Sequence, residues 1–357
     1  MPESPAATLP ARAYHDAATY ERERQAVFGR QWQFVGFRAA LRATGDYVQT
    51  TFAGWSIVVV VHPDGTLRAF HNVCRHRAGP LVVGDAGRCQ SFVCRYHGWS
   101  YDLDGALRSA REFGADADFD PSAFGLWPVA VDEWRGLVFV NLDSDTPPLA
   151  EDLGAFFAAC DDLPLERFTF GEHVEHDVDA NWKTYADNYM EGYHIPLVHP
   201  GLHREVDAKR YRVDVGDRFC IHSVPTRDGA VNAGRWLWRY PNLALNVYPR
   251  GMNIERIVPT GPRSTRVVYD YCFLDPDETE ANREIVTMGN QVLAEDRIIC
   301  EQVQCNLEAG IYEAGRLSPR HENGVAAFQG WVLDSLARHP VGPLEVSSEE
   351  TLGISHP

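Results

Sequence analysis

The chain has 357 residues, long enough for two domains of ordinary size. Its 33 Lys and Arg against 50 Asp and Glu leave a formal charge of −17, which repels phosphate backbones and anionic lipid and argues against nucleic-acid and membrane partners. At 45% hydrophobic and 23% charged residues it is an ordinary folding sequence, which excludes disordered and fibrous classes.

Met1–Arg12 holds an early Glu and three prolines but no apolar stretch, so a secretory signal is not expected. Eight cysteines at this length do not make a disulfide scaffold, and a reduced, cytoplasmic setting is the expectation. Ala18–Phe34 carries helical periodicity. Short strands and turns follow: Ile57–His62, a turn at Pro63-Asp64-Gly65, then Leu67–Asn72. The run Trp55–Val61 is too short to span a bilayer and reads as a buried strand. Tyr101–Leu107 turns at Asp104-Gly105, and Gly136–Asn141 is another strand. Asp143–Pro148 reads as a linker. Beyond it, Ala180–Tyr193 is a helix stopped by Pro196. Trp236–Tyr240, Asn242–Tyr248, Asn253–Val258 and Arg266–Phe273 read as antiparallel strands, and Thr279–Leu307 as a long amphipathic helix through Ile285, Met288, Val292, Ile299 and Val303. No nucleotide-binding glycine motif occurs.

Two constellations carry chemistry. The first is Cys74-x-His76, seventeen residues, then Cys94-x-x-His97. Zinc fingers pair Cys with Cys and His with His, whereas each loop here is mixed. A tetrahedral zinc in a non-redox binding protein stays the alternative of another class, but the arrangement suits a [2Fe–2S] cluster with two thiolates on one iron and two imidazoles on the other. The other six cysteines read as small buried hydrophobes. The second is Asp187-x3-Glu191-x2-His194-x4-His199. At helical spacing Asp187, Glu191 and His194 share a face. His194, with His199 from the bend after Pro196 and one carboxylate elsewhere, builds a 2-His-1-carboxylate triad for non-haem Fe(II), leaving open positions for O2 and substrate. The long helix supplies that carboxylate. With Val292 as zero at about 100° per residue, Asp296 sits near +40° inside the apolar stripe and Glu295 near −60° on its margin. Asp296 is the expected ligand and Glu295 the fallback.

With Gly98-Trp99 after the second loop, the first motif resembles the Rieske domain of ring-hydroxylating and related oxygenases. The second resembles the iron-binding segment of their α subunits. The resemblance implies an α+β fold: residues 1–43 as an N-terminal helical segment on the catalytic domain, 44–148 as an antiparallel β Rieske domain, and 149–357 as a helix-grip, START-like catalytic domain. It implies a [2Fe–2S] cluster on Cys74, His76, Cys94 and His97, and mononuclear Fe(II) on His194, His199 and Asp296. Glu191 matches a family carboxylate that bridges the two metals between subunits of a head-to-tail trimer. A separate NAD(P)H-dependent flavin or ferredoxin-type reductase is implied as electron donor, since this chain has no motif for one. Arg75, Arg77 and Arg95 would form a local basic docking patch. Respiratory Rieske proteins clamp their loops with a disulfide where this chain has Gly79 and Tyr96. They also bond the cluster from a Ser where Trp99 stands, so the resemblance implies a lower potential.

For the substrate, Trp236, Trp238 and Tyr240 alternate on one strand and Tyr269, Tyr271 and Phe273 on another. They would pack a curved sheet or form an aromatic cage for a quaternary ammonium. The stretch Tyr240–Pro249 is similar to that of choline, glycine betaine and carnitine monooxygenases, which implies monooxygenation or N-demethylation of such a cation. Dioxygenation of an aromatic acid or ring is the other reading. Phe328, Trp331 and Leu336 are expected on a helix covering the pocket.

Overall fold

The computed structural model describes residues 7–116, 118–224 and 234–339. Its first seven-stranded antiparallel sheet runs, in spatial order, Gln33–Phe37, Leu137–Asn141, Pro128–Trp134, Leu67–His71, Trp55–Val61, Asp46–Phe52 and Ala86–Arg88. A small sheet of Phe92–Val93, Ser100–Tyr101 and Leu107–Ser109 stands beside it. The apolar run Trp55–Val61 is covered on both faces. Ile57, Val59 and Val61 enter the main core, while Val58 and Val60 pack with Cys74, Cys94 and Trp99. A strand sandwiched this way reads as a continuous hydrophobic run instead of an alternating one.

The second seven-stranded sheet is also antiparallel, in the order Thr169–Val178, Ser264–Phe273, Gly251–Gly261, Leu243–Val247, Arg235–Arg239, Phe219–Ser223 and Arg212–Val215. Four helices carry the rest of the frame: α1 (Ala17–Glu23), α2 (Trp182–Tyr189), α3 (Thr279–Glu308) and α4 (Asn323–Arg338). Two antiparallel sheets with one long helix across the second bear out the α+β, helix-grip expectation. Among the described residues no helix is long and apolar enough to cross a membrane.

Several elements differ from the sequence reading. The helix expected over Ala18–Phe34 stops early: α1 widens into a π turn over Arg24–Phe28, and Gln33–Phe37 pairs with Leu137–Asn141. The first sheet therefore begins before residue 44, because ladder pairing outweighs local helical periodicity. The helix expected to Tyr193 ends at Tyr189, and Pro196 opens a second short helix, Ile195–Val198, instead of closing the first. A proline lacks an N–H and suits a first turn, where that donor has no helical partner. Gly192 lies in the intervening turn, where a Cβ would come 2.7 Å from the Tyr211 ring. On α3 the buried face is Ile285, Leu293, Asp296, Cys300 and Leu307, while Val303 is exposed.

The start of the described chain lies on the catalytic half. Leu9 N–H donates to Gln329 (2.9 Å), and Tyr14 packs with Leu307. Deeper in, Glu23 and Lys183 form an ion pair of 2.7 Å at 1% and 0% exposure, tying α1 to α2. The Trp182 indole N–H adds a donor to Glu23 at 2.9 Å. Helix α4 packs Phe328 on Trp182 and Trp238, and Trp331 on Tyr240. It covers the core, not the pocket described below.

Candidate metal centres and active site

The four residues of the first constellation lie in two loops at one end of the first half. Cys74 and Cys94 are buried and unbridged. The His76 and His97 rings stand 4.6 Å apart, His76 stacked on Trp99 at 4.9 Å and His97 exposed. Each loop closes on its own cysteine: Ala78 N–H donates to the Cys74 carbonyl, Gly98 N–H to that of Cys94. Gly79 packs so tightly that a Cβ would lie 2.8 Å from the Cys94 sulfur. His76 Nδ1 is buried and has no hydrogen-bond partner, as a metal-directed nitrogen would be. Two thiols and two imidazoles with that orphaned donor fit a Rieske cluster. Although Trp99 replaces the expected serine, the Tyr101 hydroxyl stands 3.2 Å from the Cys74 sulfur and accepts from Arg75 N–H at 3.0 Å. One hydroxyl contact to the cluster cysteines is therefore retained, a contact the sequence reading missed. Arg77 and Arg95 are exposed beside the loops, while Arg75 turns inward over Trp127 and donates to the Gly125 carbonyl.

The second constellation converges as expected, although not along one helix face. Asp296 on α3 brings its Oδ1 to 2.9 Å from His199 Nε2 and 3.6 Å from His194 Nε2, and the two Nε2 atoms are 3.1 Å apart. Neighbouring donors about 2.1 Å from one metal stand about 3 Å apart, so the trio fits a facial triad. The remaining ring nitrogens meet carboxylates: His194 Nδ1 meets Glu191 at 2.6 Å and His199 Nδ1 meets Glu295 at 2.7 Å. Such partners fix which nitrogen faces the metal. Glu295, the fallback ligand, thus lies against the far side of His199 and outside the converging trio. Asn188 donates to Asp296 Oδ1 at 2.6 Å.

Asp187 does not join this group. One residue before Asn188, it lies on a different face of α2, and its Oδ2 accepts from Tyr14 (2.6 Å) and Gln329 (3.0 Å). Burial pushes its carboxyl up to about 7, which suits an uncharged anchor between the N-terminal segment and α4.

A cleft with about 660 Å³ of empty space, part of it open to solvent, lies against the triad. Trp236 lines it, but Trp238 and Tyr240 do not. Trp238 packs on Tyr189 and Phe328, and the Tyr240 hydroxyl donates to Ser335 at 3.0 Å. Tyr240 stands just past the strand's last residue, Arg239, so alternation along the strand did not place the three rings in one pocket. Tyr269 does line the cleft. Missed by the sequence reading were Tyr185, Tyr189, Asn246, Asn253 and Glu255. A signal existed: Asn246 interrupts an apolar, fully buried strand, and Asn253 and Glu255 are buried polar residues in the first half of the next one.

The sequence pattern of the Rieske [2Fe-2S] domain matches residues 31–119. That of the ring hydroxylating alpha subunit (catalytic domain) matches 165–230 and 224–338. The chain belongs to the Rieske oxygenase alpha subunits. It is 31% identical over 353 residues to the chloroplastic choline monooxygenase of Beta vulgaris, covering 94% of this chain and 78% of that one. It is 33% identical over 348 residues to the carnitine monooxygenase oxygenase subunit of Escherichia coli K12, covering 90% and 91%. A solved quaternary ammonium Rieske monooxygenase, CntA, superposes with a TM-score of 0.85 at 27% identity, over 92% of this chain and 95% of that one. Naphthalene 1,2-dioxygenase shares the fold, with a TM-score of 0.72 at 19% identity over 90% and 92%. The protein is thus a Rieske non-haem iron oxygenase, an oxidoreductase with a [2Fe–2S] cluster and a mononuclear iron. As an alpha subunit it takes electrons from a separate reductase and binds a small substrate. The zinc-binding alternative falls with the family assignment.

Proposed function

We propose that this oxygenase inserts oxygen into a methylated ammonium compound, hydroxylating it or releasing a methyl group as formaldehyde. The observation that carries this is the cleft wall beside the triad: Tyr185, Tyr189, Tyr211, Trp236, Tyr248 and Tyr269 present aromatic rings. Ring faces attract a quaternary ammonium by their quadrupole and cost it little desolvation. The choline and carnitine monooxygenases among the relatives support the same class.

When bound, the cluster stores the incoming electron and the iron activates O2; this chain's residues prepare the two sites. Glu191 holds His194, Glu295 holds His199, and Asn188 holds Asp296. The aromatic wall excludes water and orients the methyl-bearing end. We place the cluster on Cys74, His76, Cys94 and His97, and the iron on His194, His199 and Asp296. We place Glu191 as the relay between His194 and a cluster histidine of a neighbouring subunit in a head-to-tail trimer. Support comes from its contact with His194, the exposed ring of His97, and the inter-subunit electron transfer described for CntA. Residues 7–14 count with the catalytic domain, since they pack there. Eight unbridged thiols accord with a reducing compartment, and we favour the cytoplasm.

O2 uptake with a reductase and a panel of choline, carnitine, glycine betaine and benzoates tests the function, with formaldehyde measured alongside. Turnover of ammonium compounds is expected; uptake with benzoates alone would replace this reading with aromatic oxygenation.

A further inference from the structure

The cleft contains a carboxylate that neither iron binding nor folding explains. Glu255 lies mid-strand on Gly251–Gly261, paired with Ala244 on one side and Tyr269 on the other. It is 3% exposed, and its Oε2 accepts from Asn246 Nδ2 at 3.2 Å. Asn246 in turn accepts from the Tyr189 hydroxyl at 2.7 Å, so the amide is held with its nitrogen toward Glu255. The other oxygen, Oε1, has no hydrogen-bond partner among the described residues. Asn253 Oδ1 and Trp236 Nε1, on the same cleft wall, are also unpartnered.

A buried carboxylate with half its acceptor capacity unused is costly unless something charged or hydrogen-bonding meets it. Burial lifts this carboxyl to about 8, so near neutral pH it is largely protonated on its own, and an arriving cation would favour loss of that proton and pairing with the carboxylate. Among the described residues no Lys or Arg lines the cleft. A positive headgroup therefore finds aromatic faces and a carboxyl that can ionise to meet it, while a substrate carboxylate finds no basic side chain among the described lining residues.

Building on the ammonium reading above, we propose that Glu255 is the specificity residue that pairs with the substrate's cationic nitrogen, and that the site takes methylated ammonium compounds carrying no carboxylate of their own. Amino alcohols and simple tertiary or quaternary amines belong to this class; zwitterionic betaines do not. Asn253 Oδ1 and the Trp236 indole N–H remain to meet a neutral polar end.

Calorimetric binding to protein carrying its iron and cluster tests this with three probes: choline, its neutral carbon isostere dimethylbutanol, and glycine betaine. Wild-type protein is expected to bind choline at least roughly tenfold more tightly than either of the others. In E255Q, which keeps the shape and the Asn246 contact, choline should weaken roughly 10- to 100-fold while dimethylbutanol changes little. An E255Q variant that keeps the wild-type ratio of choline to dimethylbutanol overturns the proposal, because a purely structural Glu255 would leave that ratio unmoved. Equal or tighter binding of glycine betaine by the wild type overturns it too, and that comparison stands even if E255Q loses its metals. A wild type that binds neither ammonium compound defeats the functional reading as well, whereas an unchanged ratio in E255Q defeats this inference alone.

Discussion

Replacing Lys183 by Met isolates the buried ion pair behind the iron-binding segment. Lys183 Nζ lies 2.7 Å and 2.8 Å from the two Glu23 oxygens and donates to Asn181 Oδ1 at 2.8 Å, with both charged side chains essentially inaccessible. Burial pulls the Lys183 ammonium below its ordinary value, and the Glu23 charge opposes that pull. The variant would strand the Glu23 carboxylate with the Trp182 N–H as its remaining donor. Breaking a buried pair from one side costs about 3–5 kcal/mol. At roughly 2–4 °C per kcal/mol for a domain of this size, the unfolding midpoint should fall by roughly 6–20 °C. Since α2 leads directly into Asn188, Glu191 and His194, mononuclear iron should leave before the visible cluster spectrum fades. Circular dichroism melts, with iron release followed by a chelator, read both effects. The double variant Glu23→Gln with Lys183→Met removes both charges and should recover more than half of the loss, because the penalty is the stranded charge and not the missing pair. A Lys183→Met midpoint within about 2 °C of wild type would refute the reasoning, as would a double variant no better than the single.

Four further outcomes are expected. Asp296→Ala should lose mononuclear iron and turnover while the Rieske spectrum persists; losing the cluster instead would show that α3 is misassigned. Glu295→Gln, which weakens the hold on His199 Nδ1, should reduce iron affinity roughly 10- to 100-fold in a metal titration. Tyr101→Phe removes the hydroxyl beside the Cys74 sulfur and should lower the cluster potential by roughly 20–60 mV in a spectroelectrochemical titration, equivalent to about one hydrogen bond. The last concerns pH. Asp187, facing Tyr14, Gln329, Lys183 and Glu322, has a folded-state value near 7 against an ordinary 3.8. Its stabilising contribution is complete below the unfolded value and is lost as pH rises through the folded one. Asp187→Asn should therefore gain stability relative to wild type as pH rises from about 4 to about 7, read from urea midpoints across that range; a constant difference would mean Asp187 is already ionised in the fold.

Most of what the sequence disclosed came from chemistry that short spacings force together. Cys74 with His76, and Cys94 with His97, lie within four residues of each other, so each loop had to present one thiol and one imidazole. Asp296 was legible because a carboxylate inside an apolar helical stripe has few other reasons to be there. Seven antiparallel strands were legible to within about three residues from turn residues and alternation, while others, such as Asp46–Phe52, Thr169–Val178 and Phe219–Ser223, were not read. Asp187 was misplaced because the reading extended one helix past Tyr189; once the chain breaks there, spacings of three and four no longer mean a shared face. Trp238 and Tyr240 were misplaced because a shared face is not a shared pocket: Trp238, on the same side as Trp236, lies farther along the strand under Tyr189 and Phe328, and Tyr240 lies beyond it against Phe328 and Trp331.

The residues alone therefore pointed to two metal centres and the class of chemistry, and nominated candidate ligands for each, since donor identity and local spacing decide what a metal can find. Tertiary structure alone decided what surrounds those ligands. Glu295 became the partner of His199 because α3 lies against the loop that follows Pro196, and the Tyr101 hydroxyl reached Cys74 because a small sheet folds beside the cluster loops. Glu255 entered the cleft because its strand, the middle one of three consecutive antiparallel strands, packs that side against the helices that carry Asn188 and Asp296. Those contacts depend on long-range register and on which face of a doubly covered sheet looks inward, quantities that a periodic pattern in one segment does not contain.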